Sequence, residues 1–364
     1  MHTRSLVAAA ALLAALALPV GAQPVSLDSH RTLGSPRTFR NLTLIPVYDS
    51  TARATGAYLT LDEGLKTRRV TVKEAVGGGD VNTLYLSNAG RKPLYVMAGE
   101  VVLGGQQDRC MGKDTLVPPG SRHIPVPVFC VEHGRWEGEG TFARSAGMAA
   151  STTIRASAEN GAFAVGGVTR AYSTSGSHAP MAVAAAPLPV SDAQQQVWDK
   201  VARKNAHFKA TPASGTYRSV LTLAAGGAQA AVTPYLKALA GSLGADPHLA
   251  GVVAAVNGRV VAADTFSDPT LFRRLWPKLL RSYAADAAEN APARGRNSAT
   301  VTAQQAKLFF TKASDAKQET QNQTGLATTL RLETPDTLDY RLVPNVAGRP
   351  KAAAPTLHEN VLRK

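Results

Sequence analysis

The sequence predicts an α+β protein, a β-rich first half packed with helices and a hairpin from the second. Two observations carry this. Short β-branched and aromatic runs, broken by Gly, Asn, Asp and Pro clusters, recur from Asn41 to Cys130. After Ser191 the apolar residues recur at helical spacing instead. The 364 residues are 44% hydrophobic, enough for one large or two modest domains and too apolar for wholesale disorder. Beyond the N-terminus no apolar run reaches about 18 residues, which excludes a multi-span membrane protein.

In chain order, residues 1–22 read as a secretory signal. A short basic start (His2, Arg4) precedes the apolar run Leu6–Val20, and Pro19-Val20-Gly21-Ala22 suits cleavage before Gln23. A secreted or periplasmic location is therefore expected. Residues 23–40 read as a flexible lead. Leu42–Val47, Tyr58–Leu61, Arg69–Lys73, Thr83–Leu86, Leu94–Met97, Thr115–Val117 and His123–Cys130 read as strands of an antiparallel sandwich or open barrel.

Residues 144–190, rich in Ala, Gly, Ser and Thr, read as a low-complexity, mobile insert. Ser191 or Asp192 caps a helix to about Ala206, and a second helix is expected near Thr233–Ala240. Asn257-Gly258 joins two apolar runs as a type I′ hairpin. Asp268-Pro269 opens a helix with Leu271, Phe272, Leu275, Trp276, Leu279, Leu280 and Tyr283 on its apolar side, which Pro277 should kink or split. A helix near Gln304–Lys312 and strands near Leu330–Val343 complete the 41–335 domain. Residues 336–364 read as a loosely ordered tail.

There are 40 Lys+Arg against 26 Asp+Glu, a formal charge of +14, of which signal cleavage removes only Arg4. Such a surplus favours an anionic small molecule or envelope polymer as partner, beside the plainer reading of a solubilising surface. The basic concentrations, Lys66-Thr67-Arg68-Arg69 and Arg273–Arg281, are too short, and too poor in interleaved aromatics, to argue for nucleic acid.

Cys110 and Cys130 stand equidistant from Gly120 in the turn Val117–Ser121. A ladder folding there would set them nearly opposite, the geometry of a cross-strand disulfide, stabilising by about 3 kcal/mol. The alternatives are a nucleophilic Cys130 near Glu132 and His133, or two buried structural thiols. No metal site is expected, since His123, His133 and His207 lack ligand spacing; no serine-hydrolase elbow, Walker loop, dinucleotide fingerprint or other cofactor motif occurs.

Two stretches concentrate charge, amide and glycine near strand ends, Glu100–Arg109 and Glu132–Trp136. On physical grounds Glu100 or Glu132 would act as general base. Arg109 and Arg135 would clamp an anion, Gln106 and Trp136 would contact the ligand, and Gly104-Gly105 would let backbone approach it. The opposing reading makes these charges structural ion pairs. Lys278 and Arg281, three apart on one helix, are a further candidate pair for an anion.

Several stretches together resemble the bacterial ARPP-1 family. They are Tyr58–Leu65, Gly99–Arg109, Cys130–Trp136 and Leu271–Tyr283, with the strand pair about Asn257-Gly258. The resemblance spans about residues 41–143 and 191–335. It implies a link to nucleotide or ADP-ribose biology through the ADP-ribosylglycohydrolase and rhodanese-phosphatase proteins for which the family is named, but no reaction. His133 stands where the family usually has Gln, and Cys110 where an aliphatic residue is usual. The expected function is thus a binding module for an anionic small molecule or glycan-phosphate. The alternatives are a hydrolase acting on a phosphate- or ribose-bearing substrate and a structural envelope protein.

Overall fold

A computed structural model describes residues 24–74, 82–135, 137–138, 140–165, 169–171, 190–224, 226–293, 299–311, 317–323, 326–345 and 355–364. The expected signal segment lies outside these residues.

The architecture is α+β, built on two large β units beside a small three-stranded sheet of Thr115–Val117, Leu94–Val96 and Leu59–Thr60. The first is a closed barrel of six strands, in the order Arg109–Met111, Ser121–Cys130, Thr83–Asn88, Val70–Lys73, Thr141–Ser145 and Val101–Gly104. Its strands alternate as a half-buried sheet requires. In Val70–Lys73 the valines point inward and Thr71 and Lys73 outward, and Leu84 and Leu86 face in from the neighbouring strand. Val72, Leu84, Leu86, Val102, Met111, Val126, Val128 and Phe142 fill the interior. The expected open barrel or sandwich is therefore closed, and the strand closing it, Thr141–Ser145, pairs with both Val70–Lys73 and Val101–Gly104.

The second unit is an 11-stranded antiparallel sheet. At its centre lie Leu42–Asp49, Leu249–Val256, Arg259–Phe266, His358–Arg363, Thr337–Pro344 and Ala327–Glu333. The Asn257-Gly258 hairpin forms as expected, with both residues at positive φ (52° and 75°). One face of this sheet packs against helix Pro269–Glu289 in the main core, which includes Leu44, Val252, Ala254, Leu271, Leu275 and Tyr283. Asp268 caps that helix, accepting from the amides of Thr270 (2.8 Å) and Leu271 (3.2 Å).

Four expectations change. Pro277 does not split the helix, which runs unbroken to Glu289. Of Tyr58–Leu61 only Leu59–Thr60 is strand, because Thr60 and Glu63 form a capping box that starts helix Leu61–Lys66. The Ala- and Ser-rich stretch contributes helix Thr152–Val165 to the core, and its small residues permit close packing. A Cβ on Gly161 would lie 2.5 Å from Ala193 Cβ and 2.6 Å from the Phe129 ring. Within the supposed tail, Thr337–Pro344 belongs to the strands expected near Leu330–Val343, and His358–Arg363 is a further, unexpected central strand. Residues 172–189 of the expected insert lie outside the described residues.

The disulfide expectation is also corrected. Register pairs Cys110 with Phe129 and Arg109 with Cys130, one residue off the symmetric ladder. The two cysteines therefore point to opposite faces, and both are free and buried. Burial pushes the Cys110 thiol up to about 12 and the Cys130 thiol up to about 11, which suits the structural-thiol reading rather than a nucleophile.

Candidate functional site

The residues singled out in sequence divide into two separate hydrogen-bonded groups. Glu100 follows the strand Leu94–Val96 in a tight turn and is completely buried. Its Oε2 accepts from the Met97 amide (2.9 Å) and its Oε1 from Lys278 Nζ (2.5 Å). Burial raises the Glu100 carboxyl above its ordinary value. Burial would lower the Lys278 ammonium, but Glu100 and Asp62 together outweigh it and hold the lysine above its usual value. Lys278 is therefore a cation.

The other group locks loops at one end of the barrel. Arg135 grips Glu132 through Nε (3.1 Å) and Nη2 (2.7 Å) and donates to the Gly105 carbonyl (2.7 Å). Glu132 also accepts from Ser214 Oγ (2.6 Å) and the Asp108 amide (3.1 Å). Burial raises Glu132, but these donors, Arg135 first, outweigh it and hold the carboxyl below its ordinary range. Arg218 clasps buried Asp108 at 3.0 and 2.6 Å. Arg109, 2% exposed, donates to Gln107 (3.1 Å) and Glu74 (3.4 Å). The Gln106 amide reaches Glu74 (3.1 Å). These bonds join segments 104–108, 132–135 and 214–218, which is what structural ion pairs do.

Glycines 104 and 105 serve the same packing rather than a ligand. Both have positive φ, and a Cβ on Gly105 would lie 2.4 Å from the Phe142 ring. Trp136 lies outside the described residues. Glu100 thus bonds to none of Gln106, Arg109, Glu132 or Arg135.

Where Glu100 does lead is to a pocket. Lys278 Nζ has three N–H bonds and three acceptors: Glu100, Asp62 Oδ1 (2.9 Å) and Ser145 Oγ (3.0 Å). An ammonium only donates, so Ser145 Oγ accepts from Lys278 and its own proton goes to Asp62, with which it makes a short bond. Ser145 ends the barrel-closing strand, and Asp62 sits on helix Leu61–Lys66, stacked against that strand.

Ser145 lines a cavity of about 360 Å³ with Arg144, Arg281, Thr222, Gln229 and Thr233. Arg281 donates to the Gly147 carbonyl (2.7 Å). Among the described residues neither Arg144 nor Arg281 forms an ion pair, and no carboxylate lines the cavity. Lys278 and Arg281 do not meet at one place: Lys278 is saturated behind Ser145, and only Arg281 lines the cavity.

A larger cleft, about 500 Å³, opens at one end of the 11-stranded sheet and holds His30, Arg31, Asp49, Arg341 and Glu359. Three carboxylates, Asp49, Asp268 and Glu359, line it, and most of its charges are matched, Arg53 donating only to the carbonyls of Ser50 and Ala52. Arg31 pairs with Asp28 and Glu359, Arg341 with Asp339 and Glu359, and His30 contacts Asp28 and Asp49. The smaller pocket, with positive charge left over, is the better receptor for an anion.

A third cluster is sealed in the core. His358 stacks on Phe266 (4.1 Å) and contacts Asp114 (2.5 Å) and Asp264 (3.1 Å). Asp264 also pairs with Arg155 (2.7 Å). All but Asp114 are at most 2% exposed. Burial would lower His358, but the Asp114 and Asp264 contacts raise it to about 9. Among the described residues no group of three or more His, Cys, Asp or Glu is placed to hold a metal.

Sequence reasoning passed over Asp62, Arg144, Ser145, Asp108 and Arg218. Each is an ordinary polar residue, Asp108 just ahead of a strand and the others on a strand or short helix. The one readable signal was the Lys278/Arg281 spacing.

Fold and site together define an α+β protein with a closed barrel, a large antiparallel sheet and a cationic pocket beside the barrel-closing strand. The chain belongs to the ARPP-1 family, the ARG and Rhodanese-Phosphatase-superfamily-associated Protein domain, whose family model matches residues 30–352. No curated protein and no solved structure matches the chain.

Proposed function

We propose that the protein is an exported binding module for a small anionic ligand, a phosphate- or carboxylate-bearing molecule or glycan-phosphate, held between Arg144 and Arg281 over Ser145. The observation that carries this is two arginines without a carboxylate partner among the described residues, lining one hydroxyl-rich cavity. Arginine offers paired N–H donors to such oxyanions. Lys278, its charge matched by Glu100 and Asp62, holds Ser145 in place from behind, so the surplus charge comes from the two arginines alone. Export rests on the leader-like residues 1–22.

The test is a thermal-shift screen of nucleotides, ADP-ribose, sugar phosphates and wall fragments. A ligand that binds the native state raises the midpoint. The expected result is a rise with wild type that disappears in R144A/R281Q. No rise with any member, or an equal rise in the double variant, overturns the reading.

A hydrolase reading is favoured by one specific observation, the polarity of the Ser145 hydrogen bonds. With Lys278 donating to Oγ and Asp62 accepting its proton, a lone pair on Oγ remains available to attack a bound ester. This moves the expected base from Glu100 or Glu132 to Asp62. Ser145→Ala separates the readings: ligand binding persists under both, and turnover is lost only under the second.

A further inference from the structure

We propose that a second site, on the outer wall of the barrel, binds an extended single strand of a polymer bearing phosphodiester groups. A groove of about 460 Å³ lies there, lined by Arg68, Arg69, Lys73, Arg122, His123 and Tyr85. Among the described residues no carboxylate lines it. Glu74, next to Lys73, turns its carboxylate to Gln106 and Arg109 instead. Arg68, Arg69, Lys73, Arg122 and His123 are exposed and form no ion pair among the described residues.

The placement is built by the fold. Alternation puts Lys73 and Tyr85 outside, on adjacent strands paired with each other. Arg68 adopts φ 56° after the helix Leu61–Lys66, at the entrance to the first of these strands. On the neighbouring strand a register irregularity between Ser121 and Ile124 puts His123 at φ 56°, its amide held by Ser87 Oγ (3.1 Å). Two basic segments over fifty residues apart in sequence thus face each other across Tyr85. Each alone is too short to signal a polyanion site, and together they give four permanent charges beside an imidazole.

The shape selects the ligand class. A concave groove with a half-exposed tyrosine suits one strand whose backbone follows the cations and whose attached rings stack on the aromatic. A bilayer surface is favoured less, because membrane binding wants an apolar anchor. Among the described residues the exposed large apolar side chain is Leu308, on helix Ala303–Thr311 rather than in the groove.

The probe is a fluorescein-labelled thymidine oligonucleotide, a plain phosphodiester strand, followed by fluorescence anisotropy. The comparison arms are a non-ionic oligonucleotide analogue and phosphatidylglycerol vesicles. Four phosphate contacts predict a slope of log Kd with log salt of about 3, so affinity falls about 50-fold between 50 and 200 mM salt. In R69S/R122S the fall shrinks to about 7-fold, with two contacts left. Both substitutions are on exposed side chains, so the thermal midpoint should hold and separate lost binding from misfolding. R144A/R281Q should bind the oligonucleotide like wild type, which keeps this site independent of the pocket. Absence of oligonucleotide binding, an unchanged salt slope in R69S/R122S, equal binding of the non-ionic analogue, or binding of vesicles alone overturns the proposal.

Discussion

Lys278→Met tests the centre of the proposed pocket. The substitution keeps length and apolar volume but removes the cation from a completely buried carboxylate. Glu100 would retain a single described donor, the Met97 amide at 2.9 Å. Asp62 would lose the same partner at little cost, since its side chain is 52% exposed and water replaces the contact. The loss therefore comes from Glu100, and breaking one side of such a buried pair costs about 3–5 kcal/mol. Urea unfolding at pH 7, followed by tryptophan fluorescence, measures it. Glu100 already has a raised pKa from burial, and without Lys278 only the Met97 amide opposes that shift. Its folded pKa then lies above the unfolded value, so the variant's deficit should shrink as pH falls toward the unfolded carboxyl range. K278M/E100Q, which removes the stranded charge, should recover about half of the loss. A cost under about 1 kcal/mol, or a double variant no more stable than K278M, would refute the reasoning.

Four further outcomes follow from the same structure. His358, raised from 6.5 to about 9, contributes stability that is complete below about pH 6.5 and is lost as pH rises through 9. That contribution is on the order of 3 kcal/mol, so His358→Gln should flatten the alkaline limb of a urea-midpoint profile between pH 6 and 10; a parallel profile would refute the network's role. Asp264 behaves oppositely. Burial would raise it, but Arg155 and His358 hold it down to about 2, so its contribution is present above about pH 4 and fades as pH falls through 2. Thiol titration without reductant should find both cysteines silent in the native protein and two reactive after denaturation; fewer than two would restore the disulfide. Gly161→Val should cost about 1–3 kcal/mol, because the new side chain meets Ala193 and Phe129; an unchanged urea midpoint would show that the helix pair yields freely.

Much of the fold was legible because it is written in local physics. Asn257-Gly258 tolerates positive φ, Asp268-Pro269 caps and starts a helix, and the valine alternation of Val70–Lys73 declares an inside and an outside. Elements were misread where tertiary contact overrides local preference. His358–Arg363, reading HENVLR, looks like a polar tail, yet it lies in the central sheet because Asp114, Asp264, Glu159 and Arg155 satisfy its His358 and Asn360 side chains. Thr152–Val165 looks too small-chained for a core helix, yet small side chains are what the close approach at Gly161 demands.

The candidate site was less legible, for a reason of register. Residues near one another in sequence, Glu132 and Arg135, close upon each other as a clip. Glu100 finds its partner 178 positions away in Lys278, and Ser145 is brought to both only because Thr141–Ser145 closes the barrel. Moving the pairing of Cys110 from Cys130 to Phe129 turns a bridge into two thiols on opposite faces. The amino-acid order alone therefore determined the α+β class, the main hairpin, the capped helix and the positive charge, since each depends on neighbours within a few residues. Which charges meet, which are sealed from water and which remain open to a ligand were decided by strand register and barrel closure, because ion pairing and burial depend on distances in space that local sequence does not set.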